Sequence, residues 1–226
     1  HGGIDATSSR VHFQAVADPV VVAIVPQSGP STGGSRVLIT GSGFIETQDL
    51  VCIFGGNTTV PALWISDNEM ECLTPANSLG EESFAISMNA MESFTGPSFV
   101  FVEPAVLSSV HPATGPASGG TEVTLTGSSF SSSRRSSCRF GLTSVPATFI
   151  SSNEVRCRTP TLNVGLHNVS FSNNGYDYQS SSSAVFTGAA NIAIFSVSPS
   201  FGVTIGGTTV TISGQGFRNE SGLACL

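Results

Sequence analysis

The chain has 226 residues, enough for one large or two ordinary domains with real cores, and eight basic against fifteen acidic residues set its net charge at −7, the wrong sign for a nucleic-acid partner. All eight basic residues are arginines, which excludes chemistry needing a lysine amine, lysine–asparagine staples included. No apolar run approaches the roughly 20 residues of a membrane-spanning helix, so this segment is not expected to insert directly into a membrane. The opening "HGGIDATSS" lacks a Met and a signal-peptide profile, as expected if a leader has been removed or if residue 1 lies inside a longer protein.

The first strand signal is "SSRVHF" (8–13), whose counterpart further along is "SSSAVF" (181–186). Val21 and Ile24 then anchor a strand before "PQSGPSTGGSRVLITGSGF" (26–44). In "RVLIT" the apolar Val37 and Ile39 alternate, so they share a buried face while Leu38 points the other way. Gly-Gly before that strand and Gly-x-x-Phe after it are turn chemistry, where glycine accepts positive φ. "CIFGGNTTVPALWISDNEMECLTP" (52–75) completes the unit, and Trp64 is expected to be a core or inter-sheet aromatic.

The pattern then recurs, which organises everything else. "PATGPASGGTEVTLTGSSF" (112–130) and "CRFGLTSVPATFISSNEVRCRTP" (138–160) repeat both halves, and "PSFGVTIGGTTVTISGQGF" (199–217) repeats the first. Pro26, Pro112 and Pro199 are spaced by 86 and 87 residues. Val123/Leu125 and Val210/Ile212 stand where Val37/Ile39 stand, with Thr124 and Thr211 turned outward. Phe149 aligns with Trp64. "SNNGYDY" (172–178) carries Asn174-Gly175 between strand-like flanks, a two-residue hairpin signal. No stretch has a helical period. Short strands with a turn signal every ten residues or so predict an all-β fold of immunoglobulin-like sandwiches.

The ordered combination of Pro, Gly-Pro-x-x-Gly-Gly, an alternating strand, Gly-x-x-Phe, Cys-x-Phe-Gly and Cys-x-Thr-Pro resembles the IPT/TIG domain. That family comprises the immunoglobulin-like domains of plexins, Met-type receptors, many surface proteins and some transcription factors. Two departures stand out: Ser129 replaces a glycine, and the third unit reads Gly202-Val-Thr-Ile-Gly-Gly. The expected segments are 1–18, the last strand of a preceding or exchanged domain; 19–104 and 105–190, two IPT/TIG domains; and 191–226, the start of another. Pro112 follows Phe101 by 11 residues and Pro199 follows Phe186 by 13; links this short predict a fairly stiff, elongated rod.

Cys52 and Cys72, 20 residues apart, recur as Cys138 and Cys157, 19 apart. Cysteines paired at matched positions of an extracellular-type β repeat imply one disulfide per domain, and the resemblance supports Cys52–Cys72 and Cys138–Cys157. Four zinc ligands are the rival, with no Cys-x-x-Cys and no histidine at ligand spacing to back them. Cys225 stands at the position of Cys52 and Cys138, as the first cysteine of a third bridge with its partner outside the chain. Asn57, Asn168 and Asn219 head N-x-S/T sequons, and Asn168 faces outward if Val169 and Phe171 face the core. Serine runs at 131–133 and 180–183 are candidates for O-linked glycans or plain polar loops. Together these features predict an extracellular or cell-surface product.

No catalytic constellation emerges, and no cofactor is implied. His1, His12, His111 and His167 are scattered, His1 fitting a copper-binding brace only if residue 1 is a true terminus. Gly41-Ser-Gly43-Phe44 follows a strand but precedes no helix that would hold phosphate. Tyr176-Asp177-Tyr178 is a candidate sugar-stacking platform, against a plainer reading as tyrosines flanking a tight turn. Arg134-Arg135 is a candidate binding pair, against a solvated loop.

Phe13 precedes Pro26 by the 13 residues that separate Phe186 from Pro199. The chain is therefore expected to open on the last strand of one domain and close on the first third of another. A window on a longer array explains this; donor-strand exchange of residues 8–17 between copies is the alternative. The leading expectation is a non-enzymatic extracellular structural or adhesive protein, a stalk or fibre, whose partners are further copies or neighbouring repeats. A plexin- or Met-like receptor spacer and an accessory module of a secreted carbohydrate-active enzyme are the competing readings.

Overall fold

The computed structural model describes residues 16–217, all strand and loop, with no helix among them. Two compact units divide the described residues, one of residues 16–28 with 32–101 and one of residues 29–31 with 102–217. The first holds β1 (Val20–Val25), β3 (Arg36–Ser42), β4 (Val51–Phe54), β5 (Thr58–Ser66), β6 (Glu69–Leu73), β8 (Phe84–Ser87) and β9 (Phe94–Thr95), hydrogen-bonded in the order β1-β3-β6-β5-β4-β8-β9. A three-stranded sheet of β2 (Ser28–Pro30), β10 (Phe99–Val102) and β7 (Gly80–Glu82) completes the strands up to Val102.

The long strand β5 makes the sandwich. Its first half pairs with β4 and its second half with β6, so one strand passes from one sheet to the other and the two faces close on a shared core. The side chains filling that core are the inward members of the period-two pattern: Val37, Ile39, Cys52, Phe54, Met70, Phe84 and Ile86 are all buried. Phe54 meets Phe84, Phe99 and Phe101 edge-on, with ring centroids 5.2 to 5.9 Å apart, the geometry aromatic quadrupoles favour.

The second unit repeats the plan with β11 (Val106–His111), β12 (Thr114–Pro116), β13 (Glu122–Ser128), β14 (Ser137–Phe140), β15 (Thr143–Ser151), β16 (Glu154–Arg158), β17 (Gly165–Ser172) and β18 (Gln179–Ala189), in the order β11-β13-β16-β15-β14-β17-β18-β12. Its core of Val123, Leu125, Cys138, Phe140, Val155, Val169, Phe171 and Phe186 is equally closed. The prolines that open the three repeats, Pro26, Pro112 and Pro199, all follow cis peptide bonds.

Gly-x-x-Phe has a steric cause that sequence alone does not reveal. A Cβ on Gly41 would sit 2.0 Å from the Val20 carbonyl oxygen and 2.6 Å from Phe44 Cζ, and Gly127 and Gly214 are hemmed in the same way. At each site the first strand of the repeat bulges past the glycine, and the phenylalanine two residues beyond its neighbour folds back over the gap. Ser129, the departure from the glycine pattern, adopts positive φ (57°) like its counterparts Gly43 and Gly216.

Two expectations about packing change. Val210 was expected on a buried face, but it is 47% exposed. β19 (Ala193–Ser198) and β20 (Thr211–Gln215) form only a two-stranded sheet, so among the described residues no second sheet covers it. Trp64 packs against the first core and donates its Nε1–H to the Phe44 carbonyl at 3.1 Å. Its counterpart Phe149 lies exposed on β15 rather than between sheets. The terminal strand expected at residues 8–13 lies outside the described residues.

Candidate functional site

The connection between β17 and β18 gathers the candidate binding residues. Asn174 is buried, and its Oδ1 accepts the N–H groups of Tyr176 and Asp177, each at 2.9 Å. Its Nδ2 donates to Asp177 Oδ2 at 2.7 Å, and Ser172 Oγ donates to Asn174 Oδ1 at 2.9 Å. The expected two-residue hairpin at Asn174-Gly175 is thus a longer connection, residues 173–178. The asparagine side chain takes over the hydrogen bonds a tight turn would make, and Gly175 supplies the positive φ of 80°.

This loop sends its two tyrosines to different places. Tyr178 lies across the outer face of β14 and β15, its hydroxyl sharing a 2.6 Å hydrogen bond with Ser137 Oγ and donating to Ser144 Oγ at 3.1 Å. The Arg139 guanidinium covers its ring, 3.4 Å from the centroid, a cation–π contact. Burial pushes the phenol pKa up, but the hydrogen bonds with Ser137 and Ser144 and the Arg139 charge outweigh it, so the net shift is downward. Tyr176 is half exposed, and Arg135 Nη1 donates to its hydroxyl at 3.1 Å with the guanidinium carbon 5.8 Å over the ring. Arg134 is exposed beside it.

Of the four candidate binding residues, Arg135 and Tyr176 therefore meet, Arg134 adjoins them, and Tyr178 is engaged by a partner that the sequence reading missed. Arg139 had a signal: it pairs across β14–β15 with Ser144, but that register is readable only once both strands are fixed. With Arg139 over its ring, Tyr178 offers no free face on that side for a sugar to stack on.

The first unit builds the same loop from different letters. Asn89 Oδ1 accepts the N–H groups of Met91 and Glu92 at 3.0 and 3.1 Å, and Ala90 takes the positive φ (59°) that Gly175 takes in the second. By this equivalence Met91, Glu92 and Ser93 stand where Tyr176, Asp177 and Tyr178 stand. With a serine in place of the second tyrosine, a groove of about 110 Å³ remains, lined by Val51, Ile53, Thr59, Met91 and Ser93. Val51, Ile53 and Thr59 are the register counterparts of Ser137, Arg139 and Ser144, the three residues that hold Tyr178.

The structure joins Cys52 to Cys72 and Cys138 to Cys157; each bridge ties β4 to β6, or β14 to β16, around the crossing strand. Asn57 is exposed in the β4–β5 turn, and Asn168 is exposed on β17 beside the buried Val169. Ser131–Ser133 are exposed in a loop, whereas Ser180–Ser183 lie within β18, where Ser183 Oγ donates to the Ser108 carbonyl at 2.8 Å. Asn219, Cys225, His1 and His12 lie outside the described residues. Among the described residues no group of three or more His, Cys, Asp or Glu side chains could hold a metal ion.

The pattern of the IPT/TIG domain matches residues 19–101, 105–187 and 193–226. Human fibrocystin-L is 28% identical over 205 residues, covering 89% of this chain, and mouse fibrocystin-L is 29% identical over 225 residues, covering 93%. The chain spans 5% of the length of each of these relatives. Among solved structures, the full extracellular region of plexin A4 superposes over 95% of this chain and 19% of its own, with a TM-score of 0.54 and 20% identity, a likeness of fold.

Proposed function

The chain belongs to the IPT/TIG domain family, and from that premise we propose that it is a non-enzymatic extracellular module, a tandem of disulfide-tied sandwiches that spaces or presents other parts of a larger surface protein. One observation carries this reading: both successive sandwiches join their two sheets with a disulfide. Compartments that keep thiols reduced rarely sustain such bonds, whereas a secreted or surface protein retains them. Asn57 and Asn168, both exposed, are acceptors for N-linked glycans in the same setting. The size of the fibrocystin-L relatives and the likeness to the plexin A4 extracellular region favour a spacer within an ectodomain.

Secretion of the chain from a eukaryotic host tests this. Intact mass before and after reduction and alkylation should show Cys52, Cys72, Cys138 and Cys157 oxidised, and an amidase that removes N-glycans should shift the mass at Asn57 and Asn168. A folded, secreted protein with free thiols at those four positions would sink the reading. The fibre alternative rests on exchange of residues 8–17, of which 8–15 lie outside the described residues. Negative-stain images at high salt, with and without residues 1–17, decide it: filaments of regular repeat that vanish on the deletion support exchange, and discrete particles oppose it.

A further inference from the structure

Charge is divided between the repeats. Residues 19–104 carry one arginine, Arg36, and nine carboxylates, whereas residues 105–190 carry five arginines and three carboxylates. Arg36 is already paired with Glu71 at 2.6 Å, and Arg156 lies against Glu154 and Glu122 at 3.3 and 3.8 Å.

The contrast is sharpest at one equivalent corner. In the second unit the loop before β14 packs on the 173–178 loop, with Ser131 N–H donating to Asn173 Oδ1 at 2.8 Å and Ser136 Oγ to the Asn173 carbonyl at 3.2 Å. That corner carries Arg134, Arg135 and the half-exposed Tyr176, with Asp177 held by Asn174 beside them. In the first unit the loop before β4 packs on the 88–93 loop through Thr47 Oγ1 and the Met88 carbonyl. That corner carries the exposed Glu46 and Asp49 beside the apolar groove under Met91, itself 85% exposed, and Glu92, which accepts from Asn89 Nδ2 as Asp177 accepts from Asn174 Nδ2.

The repeat itself indicates what the groove fits. In the second unit a phenol ring, Tyr178, lies over the counterparts of Val51, Ile53 and Thr59; in the first unit no ring lies there, and those residues line the groove beside Met91 and Ser93. An aromatic ring accompanied by cations is therefore the complementary occupant, and the chain displays one at the corner of its second unit. We propose that the groove of one copy receives Tyr176 of a second copy of the chain, with that copy's Arg134 and Arg135 set against Glu46 and Asp49. Each copy offers both corners, so association uses one kind of contact throughout. The contact is small and charged, which makes it weak and salt-dependent. It adds a partner to the extracellular-module reading without depending on it.

Sedimentation velocity on the full chain tests the proposal with two one-sided variants. Glu46→Arg with Asp49→Arg makes both corners basic; Arg134→Glu with Arg135→Glu makes both acidic. The unaltered chain should self-associate at low ionic strength and weaken about tenfold at high salt. Each variant alone should remain monomeric, an equimolar mixture of the two should associate, and Tyr176→Ala should weaken the unaltered chain's association. The altered side chains are exposed, so unchanged thermal unfolding of both variants checks that the fold is intact. A monomeric wild type at high concentration, variants that still self-associate, or a mixture that stays monomeric would each overturn the proposal. So would retention of a monomeric chain on a sulfated polysaccharide through Arg134 and Arg135, which would make the arginine corner a polyanion site. None of these results bears on the disulfides and glycans that test the extracellular reading.

Discussion

Gly41 and Gly43 stand two residues apart in the same turn, yet the structure separates the cost of adding a methyl group to each. On Gly41 the new Cβ would lie 2.0 Å from the Val20 carbonyl oxygen, 3.0 Å from its carbon and 2.6 Å from Phe44 Cζ. Ordinary contact lies beyond about 3.4 Å, so β1 must shift by more than an ångström or the buried Phe44 ring must leave its place. Either response breaks ladder hydrogen bonds or opens the core, and overpacking of that severity costs about 3 kcal/mol or more. On Gly43 the nearest atom to the new Cβ is Pro19 Cα at 3.4 Å, an ordinary contact, leaving only the left-handed backbone (φ +77°). That costs about 1–2 kcal/mol, less about 0.4–1 kcal/mol for the unfolded-state freedom that alanine removes. The second unit already accepts a side chain there, as Ser129. The sole tryptophan, Trp64, is a reporter for this turn because its indole donates to the Phe44 carbonyl. Denaturant titration followed by tryptophan fluorescence should therefore place Gly41→Ala at least about 1 kcal/mol below Gly43→Ala. Equal stability of the two variants would refute the steric account of Gly-x-x-Phe.

The other predictions use the same division between units. Ala90→Gly should raise the first unit's stability by up to about 1 kcal/mol, because alanine there holds a φ of 59° that Gly175 holds freely in the second; a loss of stability would contradict the loop equivalence. Asn174→Ala should cost the second unit about 2–3 kcal/mol, since it strips the N–H groups of Tyr176 and Asp177 of their shared acceptor. Near-ultraviolet tyrosine circular dichroism during unfolding reads that loss, both tyrosines lying in this unit. Cys138→Ala with Cys157→Ala should lower the second unit by roughly 3 kcal/mol on the chain-entropy account and leave the Trp64 transition in place. In a Tyr176→Phe background, Tyr178 is the only tyrosine, and its ultraviolet titration midpoint should fall below the ordinary 10.0. A folded-state pKa lowered in this way adds stability that is fully present above the unfolded value and disappears as pH falls through the folded one. It therefore contributes nothing at neutral pH. Arg139→Gln should raise the midpoint, and a midpoint at or above 10 before that change would show that burial prevails.

The sandwich was legible because its determinants point inward and recur. Val37/Ile39 and Val123/Leu125, the two cysteine pairs and the Gly-x-x-Phe turns occupy equivalent buried or crowded positions in both units, and period two exposes them directly. What stayed hidden depends on register rather than period. "SMNAME" (87–92) shares two letters with "SNNGYD" (172–177), yet both fold around an asparagine hub; only the paired strands on either side reveal it. Arg139 reaches Tyr178 across a strand and a loop, a contact that no local pattern announces. Asn174-Gly175 misled for a related reason: the pair signals a turn, but the buried Asn174 amide converts a two-residue hairpin into a wider one. Val210 shows the limit of alternation itself, since a buried face needs a second sheet to bury it.

A repeat protein carries its own control, because two copies of one scaffold must satisfy the same folding demands. Where both units agree, the agreement is explained by packing: a bulge that only glycine admits, a bridge between sheets, phenylalanines meeting edge-on. Where they differ at exposed equivalent positions, packing does not decide the choice. Gln48 and Asp49 against Arg134 and Arg135, and Met91 against Tyr176, are such differences, and none of these choices supplies the asparagine hub that closes either loop. Both loops close through Asn89 or Asn174 and through contacts such as Thr47 to Met88 or Ser136 to Asn173. The same holds for Ser93 and Tyr178: one leaves a groove and the other covers it, while Phe54 and Phe140 beneath remain equally buried. Specific recognition on a shared fold resides in side chains of this kind, which is why the opposed corners, rather than the invariant turns, are where a partner of this chain should be sought.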